Sequence, residues 1–256
     1  MSVRAKKHLG QHFLTDQNIA RKIVDSLSFD SSENILEIGP GMGILTQFLL
    51  EKNAEICVAE IDQESIIYLK KNFPKLQYFV GDFLKTNISA IFGEELAVIG
   101  NFPYNISSQI LFKIIDNYQW IPEMCGMFQK EVAERTAAKP RTKDYGILSV
   151  LVQAYYDVEY LFTVSENVFD PPPKVKSGVI RMTRNPKSGL EGNEFFFKNI
   201  VKTGFNQRRK KMSNALKILN IPEKMKSHPF LNIRAEELSV ADFISFANEW
   251  KESLPS

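Results

Sequence analysis

The stretch 101–104, Asn-Phe-Pro-Tyr, combines an amide, a fixed backbone angle and an aromatic ring. It follows the apolar run 96–99, so we expect it at the end of a buried strand. The side-chain oxygen of Asn101 and a nearby backbone carbonyl can accept both hydrogens of an aromatic amino group, which returns the nitrogen lone pair for attack. Pro103 fixes φ and holds its carbonyl in place, and Tyr104 can stack on a planar base. These residues predict chemistry on an exocyclic amino nitrogen, against the alternative of a plain proline turn with a core tyrosine.

Glycines follow the predicted strand 34–38 in the pattern G-x-G-x-G, at Gly39, Gly41 and Gly43. Glycine lets the backbone approach a ligand closely at the carboxyl end of a sheet. A dinucleotide fingerprint needs G-x-G-x-x-G and a phosphate loop needs G-x-x-x-x-G-K-[ST], and neither pattern is present. We therefore expect a nucleotide-like ligand without a pyrophosphate.

Acidic residues close the next two predicted strands. Glu60, or Asp62, ends the second strand about 20 residues after the glycines, where a carboxylate accepts hydrogen bonds from ribose hydroxyls. Asp82 ends the third strand, where it can accept a hydrogen bond from an adenine amino group. This set at three successive strand ends resembles the cofactor site of S-adenosylmethionine-dependent methyltransferases.

Strands and helices alternate along the first 184 residues. The predicted strands cover 34–38, 55–62, 76–83, 95–101, part of 124–132, 157–165 and 177–184, and the predicted helices cover 44–53, 63–73, 107–118 and 145–156. This order indicates an α/β fold with a Rossmann-like, doubly wound parallel sheet. The short connection between the last two strands predicts one antiparallel strand at the end of the sheet.

A polar linker, 184–194, precedes a C-terminal region with helical periodicity. We predict a catalytic domain over 1–184 and a small helical domain that binds RNA or the ribosome over 185–256. Residues 181–256 carry 14 Lys or Arg and 8 Asp or Glu, whereas the rest of the chain carries 18 and 22. A basic tail on a mildly acidic body indicates contact with a polyanion.

Two further motifs bear on the substrate. Phe169 precedes three prolines in a stretch that we predict to be a rigid loop, and its ring could hold the second face of a base. Arg208, Arg209, Lys210 and Lys211 are predicted to share one helical turn that contacts phosphates. The alternative for this basic cluster is a solvated helix face.

The sequence predicts neither a metal site nor a membrane segment. The two cysteines and three histidines form no recognisable zinc pattern, and no apolar run approaches the roughly 18 residues that span a bilayer. The N-terminal stretch lacks the apolar core of a signal peptide. We expect a cytoplasmic protein with reduced cysteines that acts as a monomer.

Several stretches together, ILEIGPGMGILT, GNFPYNIS, FDPPPKVKSGVIR and FNQRRKKMSNAL, are similar to those of bacterial ribosomal RNA adenine dimethyltransferases. The similarity covers nearly the whole chain and is greatest to members that modify the small ribosomal subunit. It implies that S-adenosylmethionine donates two methyl groups to N6 of each of two adjacent adenosines in the 3'-terminal hairpin loop of 16S ribosomal RNA, on a pre-assembled subunit. It also implies a role in late subunit maturation.

The resemblance assigns roles to individual residues. It places cofactor contacts at His12, Leu14, Gly39, Glu60, Asp82 and Asn101, to which the glycine pattern adds Gly41. It places target-base contacts at Asn101, Pro103, Tyr104 and Phe169. Two residues depart from the family pattern: Phe102 stands where Leu is usual and is expected to point into the core, and His12 stands where Asn is frequent.

Other functions are compatible with parts of the pattern. A macrolide-resistance dimethyltransferase would act on large-subunit RNA, but the stretches 130–140 and 205–210 argue against it. A ribosome-assembly or transcription factor on the same fold would not need catalysis, and intact Glu60, Asp82 and Asn101 argue against a loss of the chemistry. DNA amino-methyltransferases share the Asn-Pro-Tyr arrangement but usually carry a larger target-recognition region.

Overall fold

The computed structural model describes residues 3–30, 32–89, 93–185, 190 and 192–254, without the side chains of 77–80. Its strands in chain order are β1 (Phe13–Leu14), β2 (Asn34–Ile38), β3 (Glu55–Glu60), β4 (Gln77–Val80), β5 (Leu96–Asn101), β6 (Glu123–Gln129), β7 (Tyr156–Val164), β8 (Phe169–Asp170) and β9 (Ser177–Arg184). Its α-helices are α1 (Gln17–Asp25), α2 (Thr46–Leu49), α3 (Gln63–Asn72), α4 (Ser107–Asp116), α5 (Lys130–Thr136), α6 (Ile147–Gln153), α7 (Glu194–Asn206), α8 (Met212–Ala215) and α9 (Val240–Ser253). Within these ranges no helix combines the length and the apolar character needed to cross a membrane.

Seven of the strands form one sheet in the order β4-β3-β2-β5-β6-β9-β7. Parallel pairs join β2 to β3, β2 to β5, β3 to β4 and β5 to β6, whereas β9 runs antiparallel to β6. The structure thus confirms the predicted doubly wound sheet and an antiparallel strand, but this strand, β9, lies between β6 and the edge strand β7 and is not itself at the end of the sheet. The chain order reverses between β2 and β5, and ligands of such sheets bind outside the carboxyl ends of the strands at this point.

The central strands form because their sequences are continuous apolar runs. Leu96, Ala97, Val98 and Ile99 of β5 are fully buried, as expected of a parallel strand with both faces covered. Outside this sheet, β1 and β8 form a short antiparallel pair in which Leu14 lies opposite Phe169. This pair ties the N-terminal segment to the stretch before the three prolines.

Some predicted elements differ from the structure. A helix is expected over 44–53, but the chain is α-helical only at Thr46–Leu49. Hydrogen-bonded turns precede this short helix, from the glycine turn up to Leu45. The second and third strands end earlier than expected, at Glu60 and Val80. Helix α1 was not anticipated, although Asp16 caps it by accepting hydrogen bonds from the N–H groups of Asn18 and Ile19.

The chain falls into two compact units. Unit 1 comprises Met1–Glu134 and Val158–Arg184, and unit 2 comprises Arg135–Asp157 and Asn185–Ser256. Unit 2 therefore includes an earlier segment that the predicted boundary, between 184 and 185, assigns to the catalytic domain. The functional assignment of 1–184 and 185–256 stays a prediction.

Aromatic packing forms the core of unit 2. The rings of Phe205 and Phe243 lie 5.8 Å apart, and those of Phe246 and Trp250 lie 5.6 Å apart in an edge-on arrangement. Helix α9, which carries three of these rings, begins with a capping box in which Ser239 and Asp242 each accept a hydrogen bond from the backbone of the other. The predicted helical character of this region is confirmed.

Candidate active site

A cleft of about 740 Å³, including space open to solvent, lies at the carboxyl edge of the sheet in unit 1. Its lining includes Gly39, Gly41, Glu60, Asp82, Asn101 and Tyr104. The structure therefore brings together residues that follow β2, β3, β4 and β5, as the sequence predicts. This is the topological switch point, where β2 lies beside β5.

The glycine turn after β2 needs glycine for two reasons. Gly39 and Gly41 have φ angles of 67° and 56°, in the left-handed region that other residues rarely adopt. A Cβ atom on Gly41 would also lie 2.8 Å from a ring carbon of Phe13. The turn thus keeps its backbone against the cleft, where a ligand can approach it.

Glu60 lies at the end of β3 and is 5% exposed. One carboxylate oxygen accepts hydrogen bonds from the N–H groups of Ile61 and Asp62, at 2.8 and 2.9 Å, and the other from Gly41 at 3.2 Å. Burial raises the pKa of Glu60, and the three backbone donors only partly oppose this effect. A carboxylate has about four acceptor positions, so one remains for a ribose hydroxyl, and a second hydroxyl would have to displace the long bond to Gly41.

Asp62, the other acidic residue that the sequence offers, has a carboxylate that is already bonded to other parts of the protein. Its carboxylate caps α3, forms an ion pair with Lys6 and accepts a hydrogen bond from Gln11 at 3.2 Å. Burial alone would raise the pKa of Asp62, but Lys6 and the hydrogen bonds outweigh it, and the pKa is lowered. Asp62 therefore fixes the N-terminal segment, a role that sequence reasoning missed.

Asp82 follows β4 and has a side chain that is 40% exposed. One carboxylate oxygen accepts a hydrogen bond from the N–H of Leu84 at 3.0 Å, and the other lies 3.6 Å from the ammonium group of Lys85. The side chain remains accessible from the cleft. This placement is compatible with the predicted contact to an adenine amino group.

Asn101, at the end of β5, is half-buried and lines the cleft. Its Nδ2 donates a hydrogen bond to the backbone carbonyl of His12 at 2.9 Å. Because a carbonyl can only accept, this bond fixes the amide orientation and leaves Oδ1 as the acceptor of the side chain. An acceptor at this position is what the predicted chemistry on an amino nitrogen requires.

The turn after Asn101 is anchored by Phe102, which is 1% exposed. Its ring packs 4.7 Å from the ring of Phe128 and lies over Gly100 and Gly126. A Cβ atom on Gly126 would approach the Phe102 ring to 2.2 Å. The expectation that Phe102 points into the core is confirmed, and the two glycines make room for its ring.

Pro103 and Tyr104 both lie beside Asn101 in the cleft lining. The carbonyl of Pro103 accepts hydrogen bonds from the Ile106 N–H and the Ser107 hydroxyl, both at 3.3 Å. The Tyr104 hydroxyl forms a 2.5 Å hydrogen bond with Ser177, and burial raises the pKa of Tyr104. Ser177 begins β9 and is fully buried, and sequence reasoning did not identify it.

His12 and Leu14 differ in how they face the site. The His12 ring stacks against Tyr104, with centroids 5.4 Å apart, and its Nδ1 lies 2.7 Å from the carbonyl of Pro171. Leu14 is 3% exposed and packs in the main core, while also lining a second cavity beside Asn101. Whether these residues contact the cofactor stays a prediction, and for His12 the backbone carbonyl is already bonded to Asn101.

The structure gives Phe169 a different environment from the one that the sequence suggests. Its side chain is 4% exposed and packs in the same core as Leu14. The ring therefore presents no free face to a base in this structure, and a stacking role would require it to move. The proline-rich sequence signals the loop but cannot tell an exposed ring from a buried one.

The expectation that the basic cluster occupies one helical turn is wrong. Its contact with phosphates stays a prediction. Helix α7 ends at Asn206, and residues 207–210 form a turn. Arg208 forms an ion pair with Glu236 and donates to the carbonyls of Thr142 and Lys143, all within unit 2. Arg208 is thus a structural residue, whereas Arg209, Lys210 and Lys211 are exposed.

A further buried acid lies beneath the glycine turn. Glu37 of β2 is 1% exposed and accepts a hydrogen bond from the Thr46 hydroxyl at 2.5 Å. Burial raises the pKa of Glu37 to about 8, and the nearby charge of Glu60 adds to the effect. Glu37 also lines the second cavity, beside Gly39 and Gly41.

Comparisons with known proteins identify the family of the chain. Residues 2–252 match the family described as "Ribosomal RNA adenine dimethylase". The ribosomal RNA small subunit methyltransferase A of Cytophaga hutchinsonii is 57% identical over 96% of this chain and 97% of its own. A dimethyladenosine transferase from Plasmodium falciparum superposes with a TM-score of 0.82, at 27% identity over 94% of this chain and 98% of that chain. The 23S rRNA methyltransferase ErmE shares the fold, with a TM-score of 0.68 at 22% identity over 92% of this chain and 99% of that chain. The chain therefore belongs to the ribosomal RNA adenine dimethylase family and is a methyltransferase whose methyl donor is S-adenosylmethionine.

Proposed function

We propose that this protein dimethylates N6 of two adjacent adenosines in the 3'-terminal hairpin loop of 16S ribosomal RNA, within the small ribosomal subunit. The observation that carries the proposal is the fixed amide of Asn101, which leaves an acceptor oxygen in a cleft also lined by Glu60 and Asp82. The similarity to relatives named for the small subunit favours 16S over 23S RNA. We further propose that the enzyme works as a cytoplasmic monomer during late subunit maturation.

The residues of the cleft fit S-adenosylmethionine. The buried carboxylate of Glu60 suits a ribose hydroxyl, and Asp82 suits an adenine amino group. The close backbone of Gly39 and Gly41 suits a ligand without a pyrophosphate. When bound, S-adenosylmethionine supplies an electrophilic methyl group on a sulfonium centre.

The residues after β5 prepare the adenine for attack. Oδ1 of Asn101 accepts one N6 hydrogen, and the carbonyl of Pro103 accepts the other by sharing or giving up its two long bonds. This draws N6 toward tetrahedral geometry and restores its lone pair, while Tyr104 holds the flipped base by stacking. The methylated N6 carries a positive charge and releases its proton to water, which restores a neutral amine, and positioning supplies much of the acceleration.

The proposal is tested with labelled S-adenosylmethionine and small subunits that lack the modification. We expect label on the two adjacent adenosines, mapped by primer extension and mass spectrometry of RNA fragments. Asn101→Ala should lower turnover by much more than it lowers cofactor affinity, because its hydrogen bond strengthens as the nitrogen becomes tetrahedral.

Two outcomes would contradict the proposal. Label that appears on large-subunit RNA, and not on small subunits, would support the macrolide-resistance type of activity. Tight binding to small subunits without any transfer of label would support a non-catalytic assembly factor.

A further inference from the structure

A segment from Lys6 to His12, here called the N-terminal strap, runs from Asp62 after β3 to Asn101 at the end of β5. At its beginning, the Lys6 ammonium group forms an ion pair with the Asp62 carboxylate and lies 3.3 Å from a carboxylate oxygen of Glu64. Near its end, Gln11 donates a hydrogen bond to the other Asp62 oxygen at 3.2 Å. The carboxylate of the buried Asp62 therefore holds the strap at two points, Lys6 and Gln11.

The strap is also held by a hydrogen bond within itself and lies against the turn after Asn101. The side-chain oxygen of Gln11 accepts a hydrogen bond from the backbone N–H of Lys6 at 2.8 Å, which closes the segment into a loop. Gly10 has a φ of 66°, and a Cβ atom there would lie 2.5 Å from Oδ1 of Asn105. The strap thus lies directly against the side chain of Asn105, four residues after Asn101.

The far end of the strap sets the orientation of Asn101. A side-chain amide can be rotated by half a turn, which exchanges its donor and its acceptor. The carbonyl of His12, 2.9 Å from Nδ2, stabilises only the orientation that leaves Oδ1 available. A displaced strap would remove this constraint, and both amide orientations would then be populated.

We infer that Asp62 is a positioning residue for methyl transfer, because it fixes the N-terminal strap through Lys6 and Gln11 and so lets the His12 carbonyl orient Asn101. The inference rests on the proposed function, which gives Asn101 its role toward the adenine amino group. Asp62 contributes no side-chain contact to the lining of the cofactor cleft, whereas Glu60 does. Glu60 accepts its hydrogen bonds from the backbone N–H groups of Gly41, Ile61 and Asp62, and Lys6 makes no direct contact with it.

The test uses Lys6→Met, because replacing Asp62 would also remove the cap of α3. Lys7→Met is the matched control, since it removes the same charge from an exposed neighbour on the same segment. At saturating cofactor and subunits, Lys6→Met should lower the single-turnover methylation rate by about tenfold, and Lys7→Met by less than about twofold. In an Asn101→Ala background, Lys6→Met should cost less than about twofold, because its effect passes through Asn101.

A second measurement is independent of activity. The side-chain amide signals of Asn101 in a ¹⁵N spectrum, assigned by their loss in Asn101→Ala, should shift in Lys6→Met and stay in place in Lys7→Met. Unchanged Asn101 signals in Lys6→Met would overturn the inference whether or not the protein methylates small subunits. Equal rate losses in the two lysine variants, or an undiminished loss in the Asn101→Ala background, would also overturn it. Absence of methylation by the unaltered protein, together with the expected shift, would count against the proposed function alone.

Discussion

Glu60 is the residue on which cofactor affinity is expected to depend most. Removing a buried, charge-assisted acceptor typically costs about 2 to 3 kcal/mol, so Glu60→Ala should weaken S-adenosylmethionine binding by roughly that amount. Calorimetry of the folded variant measures this directly. Glu55→Ala is the control, because Glu55 is exposed at the opposite end of the same strand. Equal affinities for Glu60→Ala and the unaltered protein would remove Glu60 from the cofactor site.

Tyr104 carries two functions in different parts of one side chain. The ring is expected to stack on the adenine, whereas the hydroxyl pairs with the fully buried Ser177. Tyr104→Phe should retain stacking but leave the Ser177 hydroxyl without this partner, at a cost of about 1 to 3 kcal/mol in unfolding free energy.

The matched control for Tyr104 is the double variant Tyr104→Phe with Ser177→Ala, which removes both polar groups. It should recover much of the lost stability, as measured by chemical denaturation, because no buried hydroxyl then lacks a partner. Tyr104→Ala should additionally weaken capture of the flipped adenine, by roughly 1 to 3 kcal/mol for a lost stack. A Tyr104→Phe protein that is stable yet fails to capture adenine would instead assign the hydroxyl a direct role with the substrate.

Glu37 should make the stability of the protein depend on pH. Its pKa is about 8 in the folded state and 4.5 without the protein environment, so the folded state binds more protons in between. The stabilisation from this proton is complete below pH 4.5 and is lost as the pH rises to about 8. The thermal unfolding midpoint of Glu37→Gln should therefore change less with pH over this window than that of the unaltered protein. Glu33→Gln, at an exposed position, should show the same pH dependence as the unaltered protein. Parallel pH profiles for Glu37→Gln and the unaltered protein would mean that Glu37 is charged in the fold.

At the scale of elements, the turn after β5 depends on how β5 and β6 hold Phe102. Phe102→Ala should cost about 3 to 5 kcal/mol in unfolding free energy, the usual range for a buried phenylalanine. It should also lower methylation, because the turn that carries Asn101 and Tyr104 loses its anchor. Phe102→Leu is the control: it keeps an apolar anchor, so denaturation and methylation assays should find smaller losses. Full activity in Phe102→Ala would show that the turn is held by other contacts.

The elements and the strand-end acids could be predicted because their signals are local. An apolar run followed by glycine or an acid, as at Gly39 and Glu60, marks the end of a buried strand, and parallel pairing brings such ends together. The burial of Phe169 has no comparable signal, since it depends on the pairing of β8 with β1. The end of α7 before Arg208 was also missed, because basic residues are compatible with both a helix and a turn.

The N-terminal strap could not be predicted for a related reason. Lys6 and Asp62 are 56 positions apart, and His12 and Pro171 are 159 apart. Each of these residues has an ordinary role in its own local sequence, such as the capping of α3 by Asp62. Only the folded chain shows that they fix one segment across the candidate site.

At the scale of the whole molecule, the uneven charge of the chain predicts how it should respond to salt. Exposed cations that contact phosphates release counterions, so binding weakens as salt rises, with a slope of roughly 0.7 to 0.9 per contact. The structure divides the basic cluster into Arg208, which is paired within unit 2, and three exposed cations. We expect only the exposed three to contribute to the salt dependence of subunit binding.

A triple variant tests this expectation about salt dependence. It replaces Arg209, Lys210 and Lys211 by Ala. Affinity for small subunits should fall and the slope of log affinity against log salt should flatten by about 2 to 3 if each cation meets a phosphate, while S-adenosylmethionine binding stays intact. The control is a second triple variant, which replaces Lys70, Lys71 and Lys75 by Ala. It removes the same charge from exposed positions in unit 1. Arg208→Ala should instead lower the thermal stability of the protein, because it removes an ion pair and two backbone contacts. If both triple variants flatten the slope equally, net charge and not this turn attracts the RNA, and if neither does, the cluster is a solvated surface.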